Sequence, residues 1–325
     1  MSSHRLSRRQ SLALLAGCAS TAFAQTQWPS RPVRLIVPYP SGGVSDQVAR
    51  WLVEDLTTSL GQPVVVENKP GASGTLGMEA LAKSVPDGHT LAFSAISPLT
   101  LQPHLGKTPY DPVLDITPVV SVMSSPVLVL ATPSCQARDF THLLQLARLA
   151  PGALRWSTSG SASLGHLMLE HLQSLAGVSF THVPYKGGGQ QITDALAGHV
   201  EVMSVNAGPT VMPHVRQGRL RAVAVGAPAR LESLPAVPTL EEAGFAPANL
   251  NSLFGLFAPA KVPASVIERL NREVNRLLQQ PDFKRRLLQG DMVPTGGSSV
   301  TFVQHLAHES QHNARVIQTA RIQLD

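Results

Sequence analysis

The chain has 325 residues, of which 43% are hydrophobic, 14% charged and 5% aromatic, and its formal net charge is +5. This length exceeds one average domain and the composition is too apolar for disorder, so we expect two domains or lobes. Arg5, Arg8 and Arg9 supply much of the charge, and without residues 1–24 the balance is 23 basic to 21 acidic residues. The sequence lacks the basic stripe with interleaved aromatics that a nucleic-acid binder needs.

Residues 1–24 have a basic start, an apolar stretch and a small-residue site at Ala22-Phe23-Ala24, which is typical of a secretory signal peptide. Two details leave alternatives open. Ser7 to Leu12 resembles a twin-arginine export signal, and Leu15-Ala16-Gly17-Cys18 matches a lipobox that would give a lipid anchor at Cys18. We therefore expect a periplasmic protein that is either soluble or lipid-anchored.

Short Val-rich runs alternate with helical patterns over the next 200 residues, which predicts an α/β fold with parallel strands in βαβ units. The predicted strands are 33–38, 64–67, 90–94, 119–123, 127–132, 154–157, 181–184, 200–205 and 220–225. The predicted helices are 46–60, 75–84, 140–149, 164–176, 190–198 and 209–218. Only Cys135 remains after residue 24, so an intrachain disulfide is excluded in the mature chain.

The last hundred residues have a different character. A Pro-rich stretch, 228–247, precedes predicted helices at 263–280, 281–289 and 300–320. We expect this tail to pack back on the first sheet, with crossing segments near 119–126 and 223–232 joining two lobes. The predicted division is residues 25–122 with 226–325 in the first lobe and 123–225 in the second.

Three Gly- or Ser-rich loops each stand between a predicted strand and a predicted helix. They occupy residues 38–46, 156–165 and 183–189. A tight strand-to-helix connection explains any one of them. Together they favour an anion site, because free N–H groups at helix N-termini bind anions and such loops from two lobes would face each other across a cleft.

Asp46 follows the first of these loops, and two interpretations of it stay open. Its carboxylate would stabilise the helix N-terminus electrostatically and pair with Arg50 one turn on. Alternatively it would accept a hydrogen bond from an ammonium or hydroxyl group of a ligand.

Two sequence patterns suggest an enzyme, but each lacks a part of the motif that it resembles. His308-Glu309-Ser310-Gln311-His312 matches a zinc-protease motif, but Gln318 stands where a metzincin has its third histidine. We expect these histidines to be exposed on a helix. Ser161 and Ser163 are followed by His166, His182 and Asp194, yet the G-x-S-x-G turn of a serine hydrolase is missing.

From Trp28 to Asp325 the chain resembles the Bug family of periplasmic solute receptors, the substrate-binding components of tripartite tricarboxylate transporters. The matching motifs lie at residues 38–46, 66–74, 86–91, 110–112, 181–187 and 234–239. The resemblance implies a two-lobed periplasmic-binding-protein (Venus-flytrap) fold, each lobe a mainly parallel sheet flanked by helices. It also implies a carboxylate held largely by backbone amides and ordered waters.

Position by position, the resemblance implies ligand contacts from both lobes. Those of the first lobe are Tyr39, Pro40, Ser41, Gly42, Gly43, Asp46, Ser94, Ala95, Ile96 and Ser97. Those of the second are Ser157, Ser159, Ser161, Ser163, His166, Tyr185, Lys186, Gly187 and Asn206. One departure is Leu253, where the family often has Trp.

The sequence therefore predicts a non-catalytic receptor, without metal or cofactor, that acts as a monomer and delivers a small organic acid to membrane permease subunits. Neutral backbone donors can hold a dicarboxylate, a tricarboxylate, an acidic amino acid or an aromatic acid. Two alternatives remain: a sensor of the same fold that signals to a membrane partner, and a serine hydrolase that uses Ser161 or Ser163.

Overall fold

The computed structural model describes residues 28–320. The predicted export signal and Cys18 lie outside the described residues. Strands are β1 (Val33–Val37), β2 (Val64–Asn68), β3 (Thr90–Ala95), β4 (Ile116–Ala131), β5 (Arg155–Thr158), β6 (Thr181–Pro184), β7 (Val202–Asn206), β8 (Arg221–Gly226), β9 (Asn251–Pro259) and β10 (Val293–Pro294).

Helices alternate with these strands. They are α1 (Val44–Leu60), α2 (Thr75–Ala82), α3 (Ser97–Thr100), α4 (Gln102–Leu105), α5 (Phe140–Leu149), α6 (Leu164–Ala176), α7 (Gly188–Leu196), α8 (Met212–Arg216), α9 (Ala264–Leu278), α10 (Pro281–Gln289) and α11 (Ser299–Ala320). Gly61 and Gly177 end α1 and α6 in the left-handed conformation, with φ of 72° and 62°, which glycine adopts without strain. None of the helices within 28–320 is long and apolar enough to cross a membrane.

One long strand joins two groups of strands. The order β2-β1-β3-β9-β4, with β10 on β4, forms the sheet of what we name the first lobe. The order β4-β7-β5-β6, with β8 also on β4, forms the sheet of the second lobe. Residues 116–126 of β4 pair with β9, and residues 127–131 pair with β7 and β8. The exact lobe boundaries predicted at 122 and 226 stay a prediction.

The strand directions refine one expectation. Parallel pairing holds for β1 with β2 and β3, and for β5 with β6 and β7. However, β4 runs antiparallel to β7, β8 and β9, and β9 antiparallel to β3, so each sheet is mixed although most of its strands share one direction. The reason is that β4 and β9 lie side by side at the centre, where the chain crosses between the lobes.

Two strand predictions were wrong in detail. The strands predicted at 119–123 and 127–132 form the single strand β4, because Ser124, Ser125 and Pro126 stay paired with β9. Pro126 lacks an N–H, but its carbonyl accepts a hydrogen bond of 2.8 Å from the N–H of Ala207. Strand β9 was not predicted, since its apolar run follows a Pro-rich stretch and is interrupted by Gly255.

Hydrophobic cores fill both faces of each sheet. In the first lobe, α1, α9 and α10 cover one face and α2 and α11 the other. In the second lobe, α5 and α6 cover one face and α7 and α8 the other. The C-terminal helices thus pack on the first sheet, as the sequence predicts, and the carboxyl ends of β1, β3, β5, β6 and β7 lead into loops between the lobes.

Helix α11 is anchored to the first sheet by one aromatic side chain. Phe302 is 1% exposed and lies against Phe257, with 5.3 Å between the ring centroids. The ring also lies over Gly255, where an added Cβ would meet both Phe302 and, at 2.8 Å, the carbonyl oxygen of Val120. Glycine at this central strand position is therefore required by the close approach of the helix.

We predict that Phe302→Ala lowers the free energy of unfolding by about 3–5 kcal/mol, because it leaves a cavity beneath α11. Val303→Ala is the matched control, since Val303 is adjacent and 46% exposed, and should change stability by less than about 0.5 kcal/mol. Urea unfolding followed by circular dichroism measures both values. Equal losses in the two variants would contradict this anchoring role.

Candidate functional site

A cavity of about 60 Å³ lies between the two lobes. Its wall in the first lobe comprises Tyr39, Gly43, Val44, Ser45, Ser73, Ala95, Ser97, Ser252 and Phe254. Its wall in the second comprises Ser159, Ser163, Leu164, Gly165, Gly187, Gly188, Ile192, Val205, Asn206 and Thr210. None of these described lining residues is an acid, Lys, Arg or His, so the polarity of the wall comes from hydroxyls, one amide and the backbone.

Three helices begin at this cavity. Helix α1 begins after Gly43, α6 after Ser163 and α7 after Gly187, and residues at all three starts line the wall. The first N–H groups of a helix have no partner within it and carry partial positive charge. The three helix starts therefore contribute positive potential at the cavity, although its lining side chains carry no charge.

The residues before the helices decide how many of these N–H groups stay free. Gly43 and Gly187 have no side chain with which to cap α1 and α7. Ser163 does cap α6, with Oγ accepting from the N–H of His166 at 3.2 Å, which leaves Leu164 and Gly165 uncapped by this side chain. Such a set of backbone donors suits the oxygen atoms of an anion.

The two lobes contact each other at the rim of the cavity. The Ser73 hydroxyl donates to the Ser161 carbonyl, and the Gln102 amide donates to the Ala162 carbonyl at 3.3 Å. A Cβ on Gly187 would lie 2.6 Å from Cδ of Pro40, and one on Gly189 3.0 Å from the Ser41 carbonyl oxygen. The structure is thus a closed form in which two loop backbones approach too closely for side chains.

The structure brings together eight of the residues implied by the resemblance. Those on the cavity wall are Tyr39, Gly43, Ala95, Ser97, Ser159, Ser163, Gly187 and Asn206. Burial raises the pKa of Tyr39 to about 12, against a smaller opposing effect of its hydrogen bond with Ser94, so the phenol is neutral at ordinary pH.

The other predicted residues lie beside the cavity. Pro40, Ser41, Gly42 and Ser161 belong to the rim loops, and Lys186 is exposed. Ser94 and Ser157 are fully buried and bond to backbone carbonyls, and Ile96 packs in the first-lobe core. The Tyr185 hydroxyl donates to Asp194 at 2.8 Å, and burial together with this carboxylate raises the Tyr185 pKa to about 12.

Asp46 lies beneath the first loop and is 2% exposed. Its carboxylate accepts from the N–H of Gly42 at 3.0 Å, from Asn68 at 3.0 Å and from Arg50 at 3.0 and 3.1 Å. Burial opposes its ionisation, but these hydrogen bonds outweigh burial and hold the pKa below the usual value. The pairing with Arg50 considered from the sequence is therefore present. Both carboxylate oxygens of Asp46 accept hydrogen bonds from protein groups.

His166 is likewise buried, at 7% exposure, behind the second-lobe loop. Its Nδ1 accepts from the N–H of Ala162 at 3.1 Å, and its ring stacks on His182 with 4.0 Å between centroids. Because Ser163 bonds to the backbone N–H of His166 and Asp194 to Tyr185, the serine, histidine and aspartate of the hydrolase alternative form no relay.

The zinc-protease pattern also fails to form a site in the described part of the chain. His305 and His308 are exposed on α11, and His312 is partly buried there. No group of three His, Cys, Asp or Glu side chains in residues 28–320 is placed to hold a metal ion.

Sequence reasoning missed eleven wall residues, and five of them had a usable signal. The five are Val44, Ser45, Leu164, Gly165 and Gly188, which lie within one or two residues of predicted ones and enter the wall because the helices begin there. The remaining ones are Ser73, Ile192, Val205, Thr210, Ser252 and Phe254. Two of these belong to β9, the strand that was not predicted.

Comparison with known proteins gives consistent results. A family model described as the tripartite tricarboxylate transporter family receptor matches residues 48–322. Protein BugT of Bordetella pertussis is 37% identical over 269 residues, which are 81% of each chain.

Solved structures agree over most of the chain. Rpa4515 of R. palustris with adipate has a TM-score of 0.87 and 32% identity, covering 91% of this chain and 99% of that one. MatC from Rhodopseudomonas palustris with bound malate has a TM-score of 0.85 and 30% identity, covering 89% of this chain and 100% of that one. These matches confirm the expected periplasmic-binding-protein fold and the resemblance seen in the motifs: the chain belongs to the tripartite tricarboxylate transporter receptor family.

Proposed function

We propose that this protein is a non-catalytic receptor that binds a small carboxylate in the cavity between its lobes. The observation that carries the proposal is the convergence of three helix N-termini, from both lobes, on a cavity whose described lining carries no charged side chain. A carboxylate oxygen would cap the free N–H groups and interact favourably with the helix dipoles.

The chemistry of the wall limits the class of ligand that the cavity would bind. Hydroxyls of Ser45, Ser97 and Ser159 supply neutral hydrogen-bonding groups, and Ile192 and Phe254 supply apolar contact. A volume of about 60 Å³ has room for about four to six water molecules, which favours a compact organic acid. Similar proteins are recorded with adipate and with malate, so a linear dicarboxylate is the ligand class we expect.

Binding is proposed to drive closure. Backbone donors of α1 belong to the first lobe and those of α6 and α7 to the second, so one ligand reaches both sets only when the lobes meet. A ligand shifts the equilibrium toward the state in which it makes more contacts. The contacts of Ser73 and Gln102 with the 161–162 backbone would then hold the closed form.

The proposal includes the cellular context expected from the sequence and the family. The receptor is exported to the periplasm, either soluble or anchored at Cys18. There it acts as a monomer that delivers its ligand to the membrane permease subunits of a tripartite transporter. Membership of the receptor family supports this partner.

We predict that a linear dicarboxylate raises the melting temperature of the mature protein, because binding to the native state alone stabilises it by about 2.7 kcal/mol at a hundredfold excess over Kd. A thermal-shift panel of mono-, di- and tricarboxylates provides the measurement. The diamide of each active acid is the matched control, since it keeps shape but removes charge. A panel in which no acid shifts the melting temperature would contradict the proposal.

We also predict that Gly189→Ala weakens ligand affinity about five- to thirtyfold. The added Cβ would lie 3.0 Å from the Ser41 carbonyl oxygen, a strain of about 1–2 kcal/mol that exists only in the closed form. Stability without ligand should not fall, since alanine favours the first turn of α7 over glycine.

Gly106→Ala is the control for this substitution. Gly106 is exposed, its backbone is extended, and nothing lies within 4 Å of the added Cβ. Isothermal titration calorimetry with the active acid compares both variants with the wild type. An unchanged affinity in Gly189→Ala would show that the rim contact plays no part in binding.

A further inference from the structure

The loops before α1 and α6 have the same local construction, although they belong to different lobes. Each has a residue in the left-handed region, then an N-cap residue, then the helix. Gly42 with φ 83° precedes Gly43, and Ala162 with φ 56° precedes Ser163. Left-handed backbone is unfavourable for alanine, so something must hold the second loop in this shape.

In both loops a buried side chain four residues further on holds the left-handed residue. Asp46 Oδ2 accepts from the N–H of Gly42 at 3.0 Å, and His166 Nδ1 accepts from the N–H of Ala162 at 3.1 Å. Both acceptors lie in the first turn of the helix that follows. This bond fixes the direction in which the loop enters the helix, and with it the direction of the free N–H groups.

A second contact ties each acceptor to the beginning of its loop. Asn68 Nδ2 donates to Asp46 Oδ1 at 3.0 Å and to the Tyr39 carbonyl at 3.0 Å. On the other side, His182 stacks on His166 and bonds through Nε2 to Thr158 Oγ1 at 2.8 Å, and Thr158 contacts Gly160. Each loop is thereby held at both ends.

From this geometry we infer that Asp46 and His166 are matched positioning residues, one in each lobe, which act on the ligand only through the loops they hold. Neither lines the cavity, and both direct their acceptor atoms at backbone N–H groups. The inference rests on the proposed function of the cavity. It reassigns two residues that the sequence placed among the direct ligand contacts.

The chain offers matched controls for both bonds. Asp115 Oδ2 accepts from the N–H of Asp111 at 2.8 Å, and His142 Nδ1 accepts from the N–H of Arg138 at 3.3 Å. Both are bonds to the residue four positions earlier, and neither is near the cavity wall. Asp115→Ala and His142→Leu therefore remove the same kind of bond from a place that does not serve binding.

The test compares Asp46→Ala and His166→Leu, which remove the acceptor, with Asp46→Asn and His166→Asn, which retain one. Amide hydrogen exchange of Gly42 and Ala162 is measured by NMR without ligand, and affinity for malate and adipate by calorimetry. We expect the acceptor-free variants to accelerate exchange at the loop amide at least tenfold and to weaken affinity at least tenfold. His166→Asn should stay within about threefold of wild type, as should both controls.

Three results would overturn the inference. One is unchanged exchange at Gly42 and Ala162 in the acceptor-free variants, and another is faster exchange with wild-type affinity. The third is equal loss of affinity in His166→Asn and His166→Leu, which would indicate direct contact by the imidazole. If neither acid binds the wild type, the proposed function fails by itself, and the exchange measurement still decides whether the two side chains hold the loops. If the acceptor-free variant of one lobe does not fold, that of the other lobe tests the inference on its own loop.

Discussion

The chemistry of the cleft depends on one constraint: the N–H groups at the beginning of a helix need an acceptor from outside the helix. Helices α1, α6 and α7 begin at one cavity, and glycine precedes two of them. Donors that no side chain caps must bond to water or to a ligand. A carboxylate is the ligand that meets this need with charge as well as hydrogen bonds, which explains how a cavity without basic side chains would select anions.

Glycine also allows the rim loops of the two lobes to approach closely. Across the rim, a Cβ on Gly187 would lie 2.6 Å from Cδ of Pro40 and one on Gly189 3.0 Å from the Ser41 carbonyl oxygen, both closer than ordinary contact. Loops that expose backbone donors are thus also loops that allow two lobes to meet closely. Strand β4 belongs to both sheets and pairs with β9, which supplies Ser252 and Phe254 to the cavity wall, so the connection between the lobes adjoins the cavity.

The sequence predicted the parts of the molecule that depend on local pattern. Helix 164–176 was predicted with the observed ends, because a serine cap precedes it and a glycine follows it. Pairing partners were less predictable: the Ser124-Ser125-Pro126 segment looks like a break, and only the neighbouring β9 keeps it extended. The sequence predicted the loops of the site, but it did not predict the directions in which their side chains point. Asp46 and His166 stand at positions that a pattern assigns to the ligand, and their bonds to Gly42 and Ala162 exist only in three dimensions.

The central claim is that backbone amides of both lobes hold the ligand carboxylate. It is tested most directly by two-dimensional ¹⁵N–¹H NMR during titration with the dicarboxylate that binds. Amide protons that gain a bond to a charged oxygen move downfield, so the account predicts downfield shifts for Ser45 in the first lobe and for Gly165 and Gly188 in the second. Shifts confined to one lobe, or binding that leaves these three amides unchanged, would contradict it.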